Sequence, residues 1–238
     1  MRDAAGIWSY LSTEPLWWLS CTILVYLLAD WISRLAGRNA LANPVLIAVC
    51  LLAALIWLTR TSYQTYFEGA QFIHFLLGPA TVALAVPLHA NLPAIRKFAA
   101  PMLAALVAGS VAAVVSTVLL SMAFGLPEQI IVSISPKSTT APVAIGISEA
   151  LGGLPTLTAV LVILTGIIGA VVVTPLMNVL KIRDWRARGF AVGVAAHGIG
   201  TARAFQVNEV AGAFAGIGMA LNALLTSVLV PVVIAALL

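Results

Sequence analysis

Residues 99 to 124, 155 to 180 and 210 to 237 form three runs without a single charged side chain. Each exceeds the ~20 residues a helix needs to cross a bilayer. In hydrocarbon every backbone polar group must be satisfied internally, so a chain built of such runs has helices as its one economical solution. The remainder agrees: charged residues make up 8% of the chain and the mean hydropathy is +1.09. The expected class is an all-α, polytopic membrane protein forming one transmembrane domain over 1 to 238. Its net charge of +4 is read through loop placement, and no basic cluster interleaved with aromatics points to nucleic acid. Cys21 and Cys50 sit in apolar segments as packing residues, and no Cys/His spacing suggests a metal or cofactor. The N-terminus lacks the pattern of a cleaved signal peptide, so insertion by the first span is expected.

Segments 16 to 32 and 44 to 59 read as the first two spans, and 72 to 89 as a third span broken at Gly78-Pro79. Then follow 99 to 124, a segment 127 to 150, the span 155 to 180, a Gly-rich segment 189 to 208 and a last span 210 to 237. Loops 33 to 43, 90 to 98 and 181 to 188 hold most of the basic residues and belong on the cytoplasmic side. From an outside N-terminus, this parity holds only if 127 to 150 enters and leaves on one side. The expectation is therefore about seven spanning segments plus a re-entrant helical hairpin. Gly78-Pro79-Ala80-Thr81 and Gly198-Ile199-Gly200-Thr201 lie at matching places, which predicts inverted units 44 to 124 and 155 to 237, the architecture of secondary transporters.

The hairpin segment holds Ser135-Pro136-Lys137-Ser138-Thr139-Thr140-Ala141-Pro142. Its two prolines forbid a continuous helix, and broken backbone at bilayer depth belongs where protein or a wet cavity satisfies it. A lysine there costs roughly 2.5–3.5 kcal/mol by insertion scales, which marks it for function over snorkelling. With Ser135, Ser138, Thr139, Thr140 and freed N–H groups beside it, Lys137 suits a small anion. Arg203, in the second Gly-rich break, is a ligand facing the same cavity, an interfacial arginine or a structural pair with Glu209. His197 is a packing residue or a proton relay. Glu149 is interfacial or a partner of Lys137 or Arg203, and Asn222 is interhelical glue or a ligand. No nucleophile elbow or catalytic triad can be assembled, so no enzyme is expected.

The stretches GPATVALAVPL (78 to 88), SPKSTTAPVA (135 to 144), HGIGTARA (197 to 204) and GMALNALLTSVLVPVV (218 to 233) resemble the LrgB/CidB family, membrane partners of LrgA/CidA proteins, over residues 20 to 238. The resemblance implies two functions. Bacterial relatives are described as holin-like or antiholin-like modulators of murein hydrolases and autolysis. A plastid relative is a glycolate/glycerate translocator, and bacterial pairs are linked to pyruvate uptake. The resemblance carries a candidate substrate site onto Gly78, Pro79, Thr81, Ser135 to Thr140, His197, Gly198, Gly200, Thr201 and Arg203. The expectation is a secondary transporter of small monocarboxylates, multi-pass in the bacterial inner membrane, with H⁺ or Na⁺ as open choices of coupling ion. A homodimer or a complex with an LrgA/CidA-like protein is expected. The alternative is a holin-like pore or scaffold.

Overall fold

The computed structural model describes residues 14–39, 42–76, 79, 82, 89 and 92–238. Gly78 and Thr81, and with them the break expected near 78–81, lie outside the described residues; Pro79 is exposed. Every regular element among the described residues is a helix. Two compact units divide the chain, Met1–Ala83 and Leu84–Leu238.

In the first unit, α1 (Pro15–Leu35), α2 (Pro44–Leu58) and α3 (Tyr63–Phe75) follow one another through short turns. Prolines open α1 and α2 where their missing N–H has no helical partner to lose. Asn43 caps α2, its Oδ1 accepting from Val45 N at 2.9 Å. Helices α1 and α3 touch at Gly69, where an added Cβ would lie 2.2 Å from the Pro15 carbonyl oxygen. The Trp18 and Tyr66 rings meet edge to face beside it.

The second unit contains α4 (Leu92–Lys97), α5 (Ala99–Ala123), α6 (Glu128–Ile134), α7 (Ala141–Ala150), α8 (Pro155–Val179), α9 (Trp185–Val207) and α10 (Glu209–Leu237). Helices α1, α5, α8 and α10 are long and apolar enough to cross a membrane. Helix α8 exposes Val160, Leu164, Ile168, Val172 and Leu176, one residue per turn. Helix α10 does the same with Leu224, Val228 and Val232. Continuous apolar stripes of this length are an aggregation hazard in water and an ordinary surface in lipid.

Residues 127 to 150 fold as a helical hairpin, α6 descending and α7 returning. The arms are joined at Thr158 of α8, whose Oγ1 lies 2.9 Å from the Ser133 carbonyl oxygen and 2.7 Å from Ser148 Oγ. Ser133 Oγ in turn accepts from Leu154 N at 2.7 Å. Gly153 fits beneath the same cluster, where a Cβ would come within 2.4 Å of Ser148 Oγ. The tip is short helical turns through Ser135 to Thr139, then an extended Thr140 that reverses the chain into α7.

The expectation for 189 to 208, a broken but crossing span, does not match the backbone. Helix α9 is interrupted at Ala196 and His197, the latter at φ 41°, ψ −135°. A Cβ on Gly200 would lie 3.2 Å from the Val192 carbonyl oxygen, although eight residues of straight helix span about 12 Å. The chain has therefore turned back on itself. Contacts with α10 agree. Along the first arm, Gly189 and Gly193 meet Ala211 and Ala215 in parallel order. Along the second arm the order reverses, Thr201 reaching Met219 and the Phe205 ring reaching Gly212. Residues 185 to 207 thus form a second helical hairpin.

Glycines set the packing of this hairpin on α10. Added Cβ atoms on Gly189 and Gly193 would stand 2.0 Å from the carbonyl oxygens of Ala211 and Ala215, and one on Gly218 would stand 2.6 Å from that of Phe190. Small residues four apart let the two backbones touch, which replaces the hydrophobic drive that lipid removes.

Candidate functional site

The two hairpin tips meet at Asn222, fully buried in the middle of α10. Its Nδ2 donates to the Ser138 carbonyl of the first hairpin at 3.1 Å and to the Val194 carbonyl of the second at 3.0 Å. Its Oδ1 accepts from Ser110 Oγ of α5 at 2.7 Å and from Thr226 Oγ1 at 3.1 Å. The amide's two donors are thereby used on backbone acceptors that the helix breaks have freed. Of the two sequence readings, this geometry is that of interhelical glue.

A cavity of about 700 Å³ opens beside this junction, within the range of ligand pockets. Lys137, Ser138 and Thr165 contribute its polar inner wall. Met102, Gly109, Phe190, Val194 and Phe214 give it apolar sides, and Phe98, Asp184 and Arg186 also line it. Lys137 is partly buried, and among the described residues no carboxylate lies within 4.0 Å of its ammonium, Glu149 included. Beside it, Thr139 and Thr140 are buried, and among the described residues their hydroxyls make no hydrogen bond. Thr140 is the N-cap residue of α7, yet its hydroxyl does not cap the helix. A cation, two buried hydroxyls and a helix N-terminus thus lie on one tip, a combination of groups that suits an anion. Ser135 takes no part in this, since its Oγ donates to the Ile131 carbonyl at 2.6 Å.

The second motif serves its own turn. His197 is buried, and its Nε2–H donates to the Val162 carbonyl of α8 at 2.9 Å. Gly166 clears space for the ring, since a Cβ there would come within 2.6 Å of Cε1. Left-handed backbone at a non-glycine residue is strained, and this bond with the flat packing surface holds it. Thr201 Oγ1 donates to the His197 carbonyl at 2.7 Å. Gly200 allows the arms to close, and Gly198 is exposed, with Met219 Sδ 3.8 Å from an added Cβ. Arg203 does not share the lysine's cavity. It lines a separate space of about 30 Å³ with Trp185, Arg188 and Thr174, room for little more than a water molecule.

The sequence reading missed the cavity's outer edge. Asp184 caps α9 by accepting from Arg186 N at 2.9 Å and pairs with the same residue's guanidinium at 2.7 Å. Those hydrogen bonds hold the Asp184 carboxyl down at about 2. The guanidinium lies 4.4 Å from the Phe98 ring centre. The available signal was Asp184-Trp185-Arg186, an N-cap acid with a base two residues on.

Among known proteins, the model of the LrgB-like family matches residues 22–236. The uncharacterized protein YwbG of Bacillus subtilis is 36% identical over 208 residues, 87% of this chain and 92% of the relative. The holin-like protein CidB of Staphylococcus epidermidis is 35% identical over 213 residues, 90% of this chain and 93% of its own. The protein of the same name from Staphylococcus aureus is 33% identical over the same length. No solved structure matches. A match from the first span to the last apolar helix leaves one assignment: the chain belongs to the LrgB-like family.

Proposed function

We propose that this protein is a secondary transporter of small monocarboxylates of the pyruvate, glycolate and glycerate kind, multi-pass in the bacterial inner membrane. The observation that carries the reading is Lys137, held partly buried on a hairpin tip over a cavity with no carboxylate within 4.0 Å among the described residues. Its ammonium, the Thr139 and Thr140 hydroxyls and the N-terminus of α7 hold the carboxylate, and Ser138 and Thr165 face the substrate's hydroxyl or keto group. Coupling to H⁺ or Na⁺ keeps the charge balanced.

The two hairpins support this reading and redraw the inverted units. Helix α5 with the first hairpin, and α8 with the second, repeat the order long helix then hairpin. With the basic loop 181 to 188 in the cytoplasm, the first hairpin enters from outside and the second from inside, so their tips meet near the midplane. Alternating access then comes from one unit rocking on the other about that junction. Cysteine substitutions in a Cys21→Ser, Cys50→Ser background test this topology. Arg183→Cys and Val207→Cys are expected to label from the same, cytoplasmic face, and Gly152→Cys from the opposite one. Labelling of position 207 from outside would restore a crossing span.

Function is tested by uptake of labelled pyruvate, glycolate and glycerate into proteoliposomes, with and without a pH gradient. Lys137→Ala is expected to lower saturable uptake at least about tenfold, the worth of one ~1.5–3 kcal/mol hydrogen bond to a charged group. Inserted, folded protein that moves none of these acids would remove the carrier reading. The second reading, a holin-like pore or scaffold acting on murein hydrolases, draws on the names of the CidB relatives. Leakage of dyes regardless of charge in the same vesicles would favour it. Assembly with a second copy or an LrgA/CidA-like protein belongs to either reading.

A further inference from the structure

We propose that Arg186 is the cytoplasmic-side receptor for the substrate carboxylate and that Asp184 is a built-in competitor for it; the inference rests on the carrier reading above. The cavity has a cation on each of two separate elements, Lys137 on the first hairpin's tip and Arg186 at the start of α9. They are differently dressed. Lys137 has no acid within reach among the described residues, whereas the Arg186 guanidinium is engaged along its edge by one carboxylate: Nε sits 3.0 Å from Asp184 Oδ1 and Nη2 sits 2.7 Å from Oδ2. That two-point contact is the one a guanidinium makes with any carboxylate, a substrate's included.

The pair is also positioned for exchange. Both partners are accessible, with 43% of the Arg186 side chain and 47% of the Asp184 side chain exposed, so the contact is weak enough to break. The Phe98 ring, which lines the cavity, supports the guanidinium from its face at 4.4 Å. The arginine therefore stays in place when its edge is released. Asp184 remains tethered as the α9 cap through Arg186 N. Lys97 adds a second positive charge 5.8 Å from the same ring, which draws anions to this edge. A carboxylate arriving from the cytoplasmic side takes Asp184's place on the guanidinium and crosses the apolar walls to Lys137; in the inward direction the steps reverse, and Asp184 displaces the substrate from the guanidinium as it leaves.

Equilibrium binding of labelled pyruvate by the purified full-length protein, and its transport from the cytoplasmic face in proteoliposomes of known orientation, test this. Arg186→Gln is expected to raise KM about tenfold with little change in maximal rate, since it removes one charge-assisted contact made during capture. It should also flatten the salt dependence of KM. Arg186→Lys keeps the charge without the fork and falls between. Asp184→Asn keeps a good helix cap while removing the competing charge, so KM is expected to fall about two- to fivefold, the strength of an exposed ion pair. Wild-type transport with Arg186→Gln and Asp184→Asn both unchanged would overturn the receptor role and leave the carrier reading standing. A maximal rate lost in both variants, with normal thermal stability, would overturn it in favour of a moving gate. Absence of binding and uptake in the wild type would remove both readings together.

Discussion

Replacing Gly193 with alanine is expected to unfold most of the second hairpin from α10, whereas the same change at Gly216 leaves the protein intact. The added Cβ at 193 would stand 2.0 Å from the Ala215 carbonyl oxygen and 2.8 Å from its Cα. These are backbone atoms and cannot rotate away, so the two helices must separate along their whole contact. Overpacking against side chains costs about 1–3 kcal/mol, and a backbone obstruction in a glycine-mediated contact lies at or above the top of that range. At Gly216 an added Cβ meets nothing within 4 Å, and alanine is better than glycine in a helix by roughly 0.8–1.0 kcal/mol. Size-exclusion profiles after detergent extraction compare the two directly. A monodisperse, wild-type-like Gly193→Ala peak would show that the hairpin and α10 are not in backbone contact.

Asn222→Ala carries the second large effect. It removes four hydrogen bonds at once and leaves the Ser138 and Val194 carbonyls without their donor. Interhelical hydrogen bonds in membranes average ~0.6 kcal/mol and reach ~1.7, so the loss is about 2–4 kcal/mol once relaxation of the tips is allowed for. Asn222→Asp keeps the acceptors for Ser110 and Thr226 but turns a carboxylate toward two carbonyls, and it should be worse than alanine. Ser110→Ala, which removes one bond of the four, should cost under ~2 kcal/mol. Thermal unfolding in detergent orders the three variants. An Asn222→Ala protein that melts with the wild type yet fails in transport would instead make Asn222 a ligand.

The first hairpin was legible in the sequence because its signals are local and redundant. Pro136 and Pro142 exclude a helix through the tip, Lys137 is too costly to leave in lipid, and the basic loops on either side fix the parity of the segment between them. The second hairpin was not. Its turn contains no proline, only Ala196-His197 followed by glycines, and α9 reads in sequence like a kinked span of sufficient length. No basic loop follows it, so parity had nothing to test the crossing against. The paired glycine motifs at 78 and 198 pointed to inverted units 44 to 124 and 155 to 237; Gly78 and Thr81 lie outside the described residues.

Within the site, residue chemistry was a good guide to candidates and a poor guide to who meets whom. Lys137 lines the cavity, and Thr139 and Thr140 lie buried in the same hairpin tip. Arg203, read as a ligand or a structural residue, and His197, read first as a packing residue, face α8 and the base of their own hairpin. The Asp184–Arg186 pair gave little warning, since an acid and a base two residues apart in a loop are common and acquire meaning only when Phe98 arrives from α5's start.

What the sequence determined by itself is the class: uncharged runs longer than a bilayer is thick leave the backbone no option but helix, and a prolyl break around a lysine leaves no option but a sheltered tip. What the tertiary structure alone decided is which breaks meet. That depends on glycines that let α9 lie against the backbone of α10, and on one asparagine whose donors match carbonyls freed 84 and 28 residues away. Contacts of such separation leave no local periodicity, because the residues that make them are chosen by size and hydrogen-bonding geometry at the point of approach.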